Sequence, residues 1–151
     1  MAEPPRARSL ASREEADRFI GGFVATLDSL GMLLAEQSDQ IRAGRLREGL
    51  AREDRKTELA GHYLKGLELA RANAVAIARF LPDRVSDLRR RHEAFRIIVE
   101  ANQAVIATAR AVSEGLVRGV ADEMARQARP QGYGATSAYA PARPIAVSTR
   151  L

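Results

Sequence analysis

From Pro82 to Pro130 the chain contains no other proline, and this run constrains the fold more than any other feature. Val85, Leu88, Phe95, Ile98, Val99, Val105, Ile106, Val112, Leu116, Val120 and Met124 recur through it at helical spacing, to about residue 128. Some 45 residues rising 1.5 Å each predict a rod of about 65–70 Å. A helix of that length is too long for a compact core and has to pack lengthwise on other helices. The remaining composition points the same way. Alanine is the largest class, 28 of 151 residues, and upstream of Pro82 no proline occurs back to Pro5. Such a chain reads as long helices.

Two further helices are legible. Ser12 and Glu15 have the spacing of a capping box, and behind them Phe19, Ile20, Phe23, Val24, Leu27, Leu30, Leu33, Leu34 and Ile41 recur every three or four residues. Gly21, Gly22 and Gly31 soften this helix, each costing about 1 kcal/mol relative to alanine. Gly44 can adopt the left-handed conformation that closes it. A second helix starts at Leu46, beyond which Ala51–Glu58 is almost wholly charged and reads as an exposed helix or a neck. Ala60, Tyr63, Leu67, Ala70, Ala74, Ile77 and Leu81 then form a narrow seam, widened by Leu64. Pro82 ends that helix and suits the first turn of the next, with Asp83 near its positive end.

The expected fold is therefore all-α: three helices near 12–42, 46–81 and 83–128 in an elongated antiparallel bundle or long hairpin. Short connections at Gly44 and Pro82 favour antiparallel neighbours. Residues 1–11 read as a polar leader attached to a single helical domain reaching residue 128. Residues 129–151, with three prolines, two glycines, three arginines and no acid, read as a flexible tail.

Chemistry is scarce. With no cysteine there is no disulfide framework, no thiolate nucleophile and no sulfur-bound zinc. His62 and His92 lack partners at the spacing of a metal site or a catalytic pair, so no enzyme, cofactor or metal is expected. The net charge is +5. Arg89, Arg90 and Arg91, with Arg84 and Arg96, could contact phosphate, yet Asp83, Asp87, Glu93 and Glu100 interleave with them at pairing distance along a helix. Asn102 lies on the apolar stripe, as a polar residue that fixes helix register does. Gly115 and Gly119 would let a helix approach closely, from this chain or a partner. The longest uncharged stretches in the helical region, Phe19–Leu27 and Ala101–Ala109, are too short for a membrane span, and the N-terminus lacks an apolar signal core. A soluble, cytoplasmic binding protein is expected.

Two stretches resemble the FlgN-type flagellar export chaperones, in particular their alphaproteobacterial-type members. One runs Leu34-Ala-Glu-Gln-Ser-Asp-Gln-Ile-Arg-Ala-Gly-Arg-Leu-Arg-Glu48 and continues through Lys56-Thr-Glu-Leu-Ala60 to Tyr63. The other is Asn102-Gln-Ala-Val-Ile106 with the tail motif Gln131-Gly-Tyr-Gly134. The resemblance implies a chaperone that holds hook-associated proteins of the hook–filament junction and brings them to the flagellar type III export apparatus.

The partner surface expected from the residues is the end of the third helix. About ten of its residues are expected to project past the hairpin formed by the other two, leaving Val112, Leu116, Val117, Val120 and Met124 partly exposed. Tyr133 and Tyr139 in the tail are candidate docking aromatics. Two other functions fit the same sequence: a self-associating coiled-coil scaffold that consumes the stripe, and a basic helical nucleic-acid binder.

Overall fold

In the computed structural model, residues 8–129 are described, and among them the fold is all-α with no strand. Five helical segments follow in order: α1 (Arg13–Arg42), α2 (Leu46–Leu50), α3 (Glu53–Ala72), α4 (Ala74–Phe80) and α5 (Pro82–Ala128). The chain divides into two units, one ending at Ala111 and one starting at Val112, with the boundary inside α5.

Helix α1 supplies most of the core of the first unit. Its N-terminus is capped by Ser12, whose hydroxyl accepts from the Glu15 amide at 3.2 Å. The Glu15 carboxylate reaches one residue further back than a capping box would place it, accepting from the Ala11 amide at 2.9 Å. At the other end Gly44, at φ +77°, closes the helix. The Arg45 amide donates to the Gln40 carbonyl and the Gly44 amide to Ile41, the paired bonds of a Schellman turn. Between the caps, Ile20, Phe23, Leu27, Leu30 and Leu34 are buried, each contributing about 1.5–3 kcal/mol by leaving water.

The second expected helix, 46–81, is corrected to three pieces. It is interrupted at Ala51–Arg52 and again at Asn73. The first break lets α2 lie against the end of α1, where a Cβ on Gly49 would sit 2.8 Å from Ile41. At the second, the Asn73 side chain turns away to bind the N-terminal segment: Oδ1 accepts from the Leu10 amide, and Nδ2 donates to the carbonyls of Arg8 and Leu69, all at 2.9 Å. Of the expected leader only residues 8–11 are described, and there Leu10 is buried with Ala16, Ile20, Ile77 and Leu81. Within the expected seam, Ala74 and Leu64 are exposed, while Tyr63, Leu67 and Ile77 pack inward.

Consecutive long helices run antiparallel. Gln37 near the end of α1 meets Glu53 and Lys56 at the start of α3, and Phe23 stacks on Tyr63 at 5.9 Å. Helix α5 then runs parallel to α1: Asp17 pairs with Arg84, Asp28 with Arg91, and the Leu34 carbonyl accepts from Asn102. Facing residues are 63 to 68 positions apart, so Arg42, the last residue of α1, lies opposite residues 105–110 of α5. Helix α1 is long and apolar enough to cross a membrane by length and composition, although Asp28 and Glu36 interrupt its uncharged stretches. In this fold its apolar face forms the core against α3, α4 and α5.

Candidate partner-binding surface

Among the described residues, two extended apolar surfaces are exposed. The first is a groove of about 500 Å³ in the first unit, opening between α3 and α5. Leu30 and Leu34 of α1 form its floor, Ala60 and Leu64 stand on the α3 bank, and Val99 and Ile106 on the α5 bank. Its charged lining residues, Lys56 and Arg110, are both cationic. Leu64 is 57% exposed although it faces this apolar space.

A polar cluster anchors one end of the groove. Asn102, only 3% exposed, directs Nδ2 at the Leu34 carbonyl, Gln37 Oε1 and Ser38 Oγ, at 3.1, 3.0 and 3.2 Å. Gln37 in turn donates to the Gly49 carbonyl and to Glu53, and accepts from Lys56 at 3.1 Å. One buried amide pair thus ties α1, α2, α3 and α5 in a single register, as expected of Asn102. Further along the same helices, toward the start of α5, the Tyr63 hydroxyl and His92 Nε2 lie 2.7 Å apart. Burial pushes the Tyr63 phenol up from its ordinary range, partly opposed by Arg71. His92 stacks on Tyr63 with ring centroids 6.0 Å apart and lies tilted against Phe95, and His62 is exposed.

The second surface is on α5 in the second unit. Val112, Leu116, Val117, Val120 and Met124, the residues singled out from the sequence, are all 57% to 68% exposed. On a helical projection they fall within one arc of about 140°. A Cβ on Gly115 or Gly119 would meet nothing within 4 Å, so neither glycine is needed for a close approach among the described residues. Tyr133 and Tyr139 lie outside the described residues.

Four of the five arginines at the start of α5, Arg84, Arg90, Arg91 and Arg96, are ion-paired. Arg90 and Arg91 both bond Asp87, at 2.7 and 3.0 Å, and Arg96 bridges Glu93 and Glu100 at 2.8 and 3.3 Å. Bonds from Arg90 and Arg91 hold the Asp87 carboxyl below the usual range, and Arg96 does the same to Glu93. This is the ion-paired, solvated face that the alternating charges predict.

Sequence reasoning identified the α5 stripe and missed the groove. Leu64 and Ile106 are both legible in the sequence as apolar positions, Leu64 beside the narrow seam of its helix and Ile106 on the α5 stripe, but no spacing within one helix shows the space between them. The exposed Leu64 had one available signal: it stands beside the three-and-four spacing of its helix rather than on it. No family model, curated protein or solved structure matches the chain.

Proposed function

We propose that this chain is a non-enzymatic adaptor that holds a helical segment of a partner protein against the exposed stripe of α5. The observation that carries the reading is the contiguous set of five aliphatic side chains, Val112 to Met124, each more than half exposed. Soluble proteins rarely keep such a face uncovered without a use for it, and an amphipathic helix is the natural complement of an aliphatic stripe. The resemblance to FlgN-type chaperones supplies the partner class: hook-associated flagellar proteins, received in the cytoplasm and brought to the flagellar type III export apparatus. Tyr133 and Tyr139, outside the described residues, are further candidate docking aromatics. Ion pairing of Arg84, Arg90, Arg91 and Arg96 weighs against a nucleic-acid role.

The test is titration of a purified hook–filament junction protein into the full chain, followed by calorimetry. Replacing Leu116 and Val120 together with serine should abolish binding while leaving helical content and Tm unchanged. Retained binding, or a free protein that loses several kcal/mol of stability, would refute the assignment. Deleting residues 130–151 should weaken binding and barely alter Tm.

A further inference from the structure

We propose that Asn73 and the apolar pocket beside it form a peptide-binding slot, filled in the free protein by the chain's own residues 8–10 and open to an extended, leucine-bearing segment of a partner. The asparagine amide reads main chain. Its Oδ1 accepts from the Leu10 amide and its Nδ2 donates to the Arg8 carbonyl, both at 2.9 Å. A carbonyl and an amide two residues apart point to the same side of an extended chain, so Asn73 meets the segment as a neighbouring strand would. Only one side chain is read with them. Leu10 is 5% exposed among Ala16, Ile20, Ile77 and Leu81, whereas Arg8 and Ser9 are exposed. The amide is aimed before any segment arrives: Asn73 keeps its own main-chain bonds to Leu69 and Ile77, and the second Nδ2 hydrogen is held by the Leu69 carbonyl.

The present occupant leaves part of the site unfilled. A cavity of about 280 Å³ opens beside it, bordered by Arg8 and Leu10 of the segment and by Glu15, Arg18, Phe19 and Leu69 of α1 and α3. Alternate side chains of an extended chain share a face, so the residue two before the leucine borders this space. Arg8 stands there beside a second cation, Arg18, and the Glu15 carboxylate is engaged by the Ala11 amide at 2.9 Å. An aromatic ring suits the position better, since it packs on Phe19 and Leu69 and its face accepts a guanidinium. The preferred ligand is thus an extended aromatic-x-leucine segment. Tethering favours the chain's own residues through their effective concentration, so the slot yields only to a partner that fills the cavity as well. It uses no residue of the α5 stripe, and its failure leaves the proposed function untouched.

The probes are a capped peptide of residues 6–11, Arg-Ala-Arg-Ser-Leu-Ala, and its Arg8→Phe variant. They are titrated into the full chain carrying Leu10→Ser, which vacates the pocket, while the Asn73 side-chain amide and the Ile77 methyl groups are followed by NMR. The parent peptide should bind with a Kd of about 1 mM, as one buried side chain and two hydrogen bonds give after association costs. Arg8→Phe should tighten binding about tenfold, and N-methylation of the leucine nitrogen, which removes the donor to Oδ1, should weaken it about tenfold. Lack of saturable shifts at Asn73 and Ile77 would overturn the proposal. So would equal binding of the N-methylated peptide, or no gain from Arg8→Phe. A second measurement uses the unaltered chain and does not depend on Leu10→Ser being tolerated. Its Leu10 amide should exchange slowly with solvent, and the Arg8→Phe peptide at about 10 mM, well above its Kd, should speed that exchange severalfold by displacing the segment. An unchanged rate would reject the slot as an exchangeable site.

Discussion

Individual residues in this bundle are constrained by what stands opposite them rather than by their own helix. Gly66 has ordinary helical surroundings in the sequence, yet a Cβ there would lie 2.5 Å from Phe23 Cδ2 and 3.0 Å from Cε2. The ring cannot yield easily, being stacked between Phe19 and Tyr63. Gly66→Ala is therefore expected to destabilise the fold by about 1–3 kcal/mol as an overpacked core does, against the gain that helix propensity alone would give; chemical denaturation measures the sign. Asn102→Ala should cost about 1–3 kcal/mol, because Gln37 and Ser38 stay buried with one partner fewer. Tyr63 adds a pH signature. Its phenol is raised in the folded state, so its contribution is complete below the unfolded value of about 10 and is lost as pH climbs through the folded value. Alkaline unfolding followed by phenolate absorbance should show this, and Tyr63→Phe should remove it. Asn102 could be read from the sequence because a polar residue interrupting an apolar stripe has few other uses. Asn73 could not. Its partner, the Leu10 amide, lies 63 residues away, and an asparagine amid alanines carries no sign of a distant backbone.

Elements were legible where their pattern was long. Helices α1 and α5 start and stop within a residue or so of the positions that Ser12, Gly44 and Pro82 indicate, because caps, glycine and proline act locally and independently of packing. The stretch 46–81 was read as one helix because its apolar spacing continues across both breaks. Those breaks arise from tertiary contacts, the approach of Gly49 to Ile41 and the capture of Leu10 by Asn73, which no periodicity encodes. Helix α5 offers a test of a local effect without a packing contribution. With nothing within 4 Å of a Cβ at either position, Gly115→Ala and Gly119→Ala should each favour the helix by up to about 1 kcal/mol, read as increased helical content by circular dichroism. The ion pairs on the same helix set its acid response. Asp87 and Glu93 are depressed in the folded state, so their stabilisation is present above the unfolded carboxylate values near 4 and disappears as pH falls through the folded values. The effect should be small, and smaller in high salt, since both groups are solvent-facing.

At the scale of the whole molecule, the sequence contained the class of fold and the stripe but not the groove. A groove is a property of three helices together: Leu30, Leu64 and Ile106 are remote in the chain, and only their mutual placement leaves space between them. The dominance of α1 in the core has a temporal consequence. Eleven of its residues are buried, and their cover comes largely from α3 to α5, as late as Asn102. At a synthesis rate of about 5–20 residues per second, the ribosome needs several seconds to pass from Arg42 to that residue. Throughout this interval the growing chain presents a helix with the length and composition of a membrane span. Nascent chains arrested shortly after α1 should therefore associate with hydrophobic-segment-binding factors, and chains arrested well beyond Asn102 should be released from them. During synthesis, then, the helix that organises the finished core is the part of the chain most exposed to being mistaken for an insertion signal.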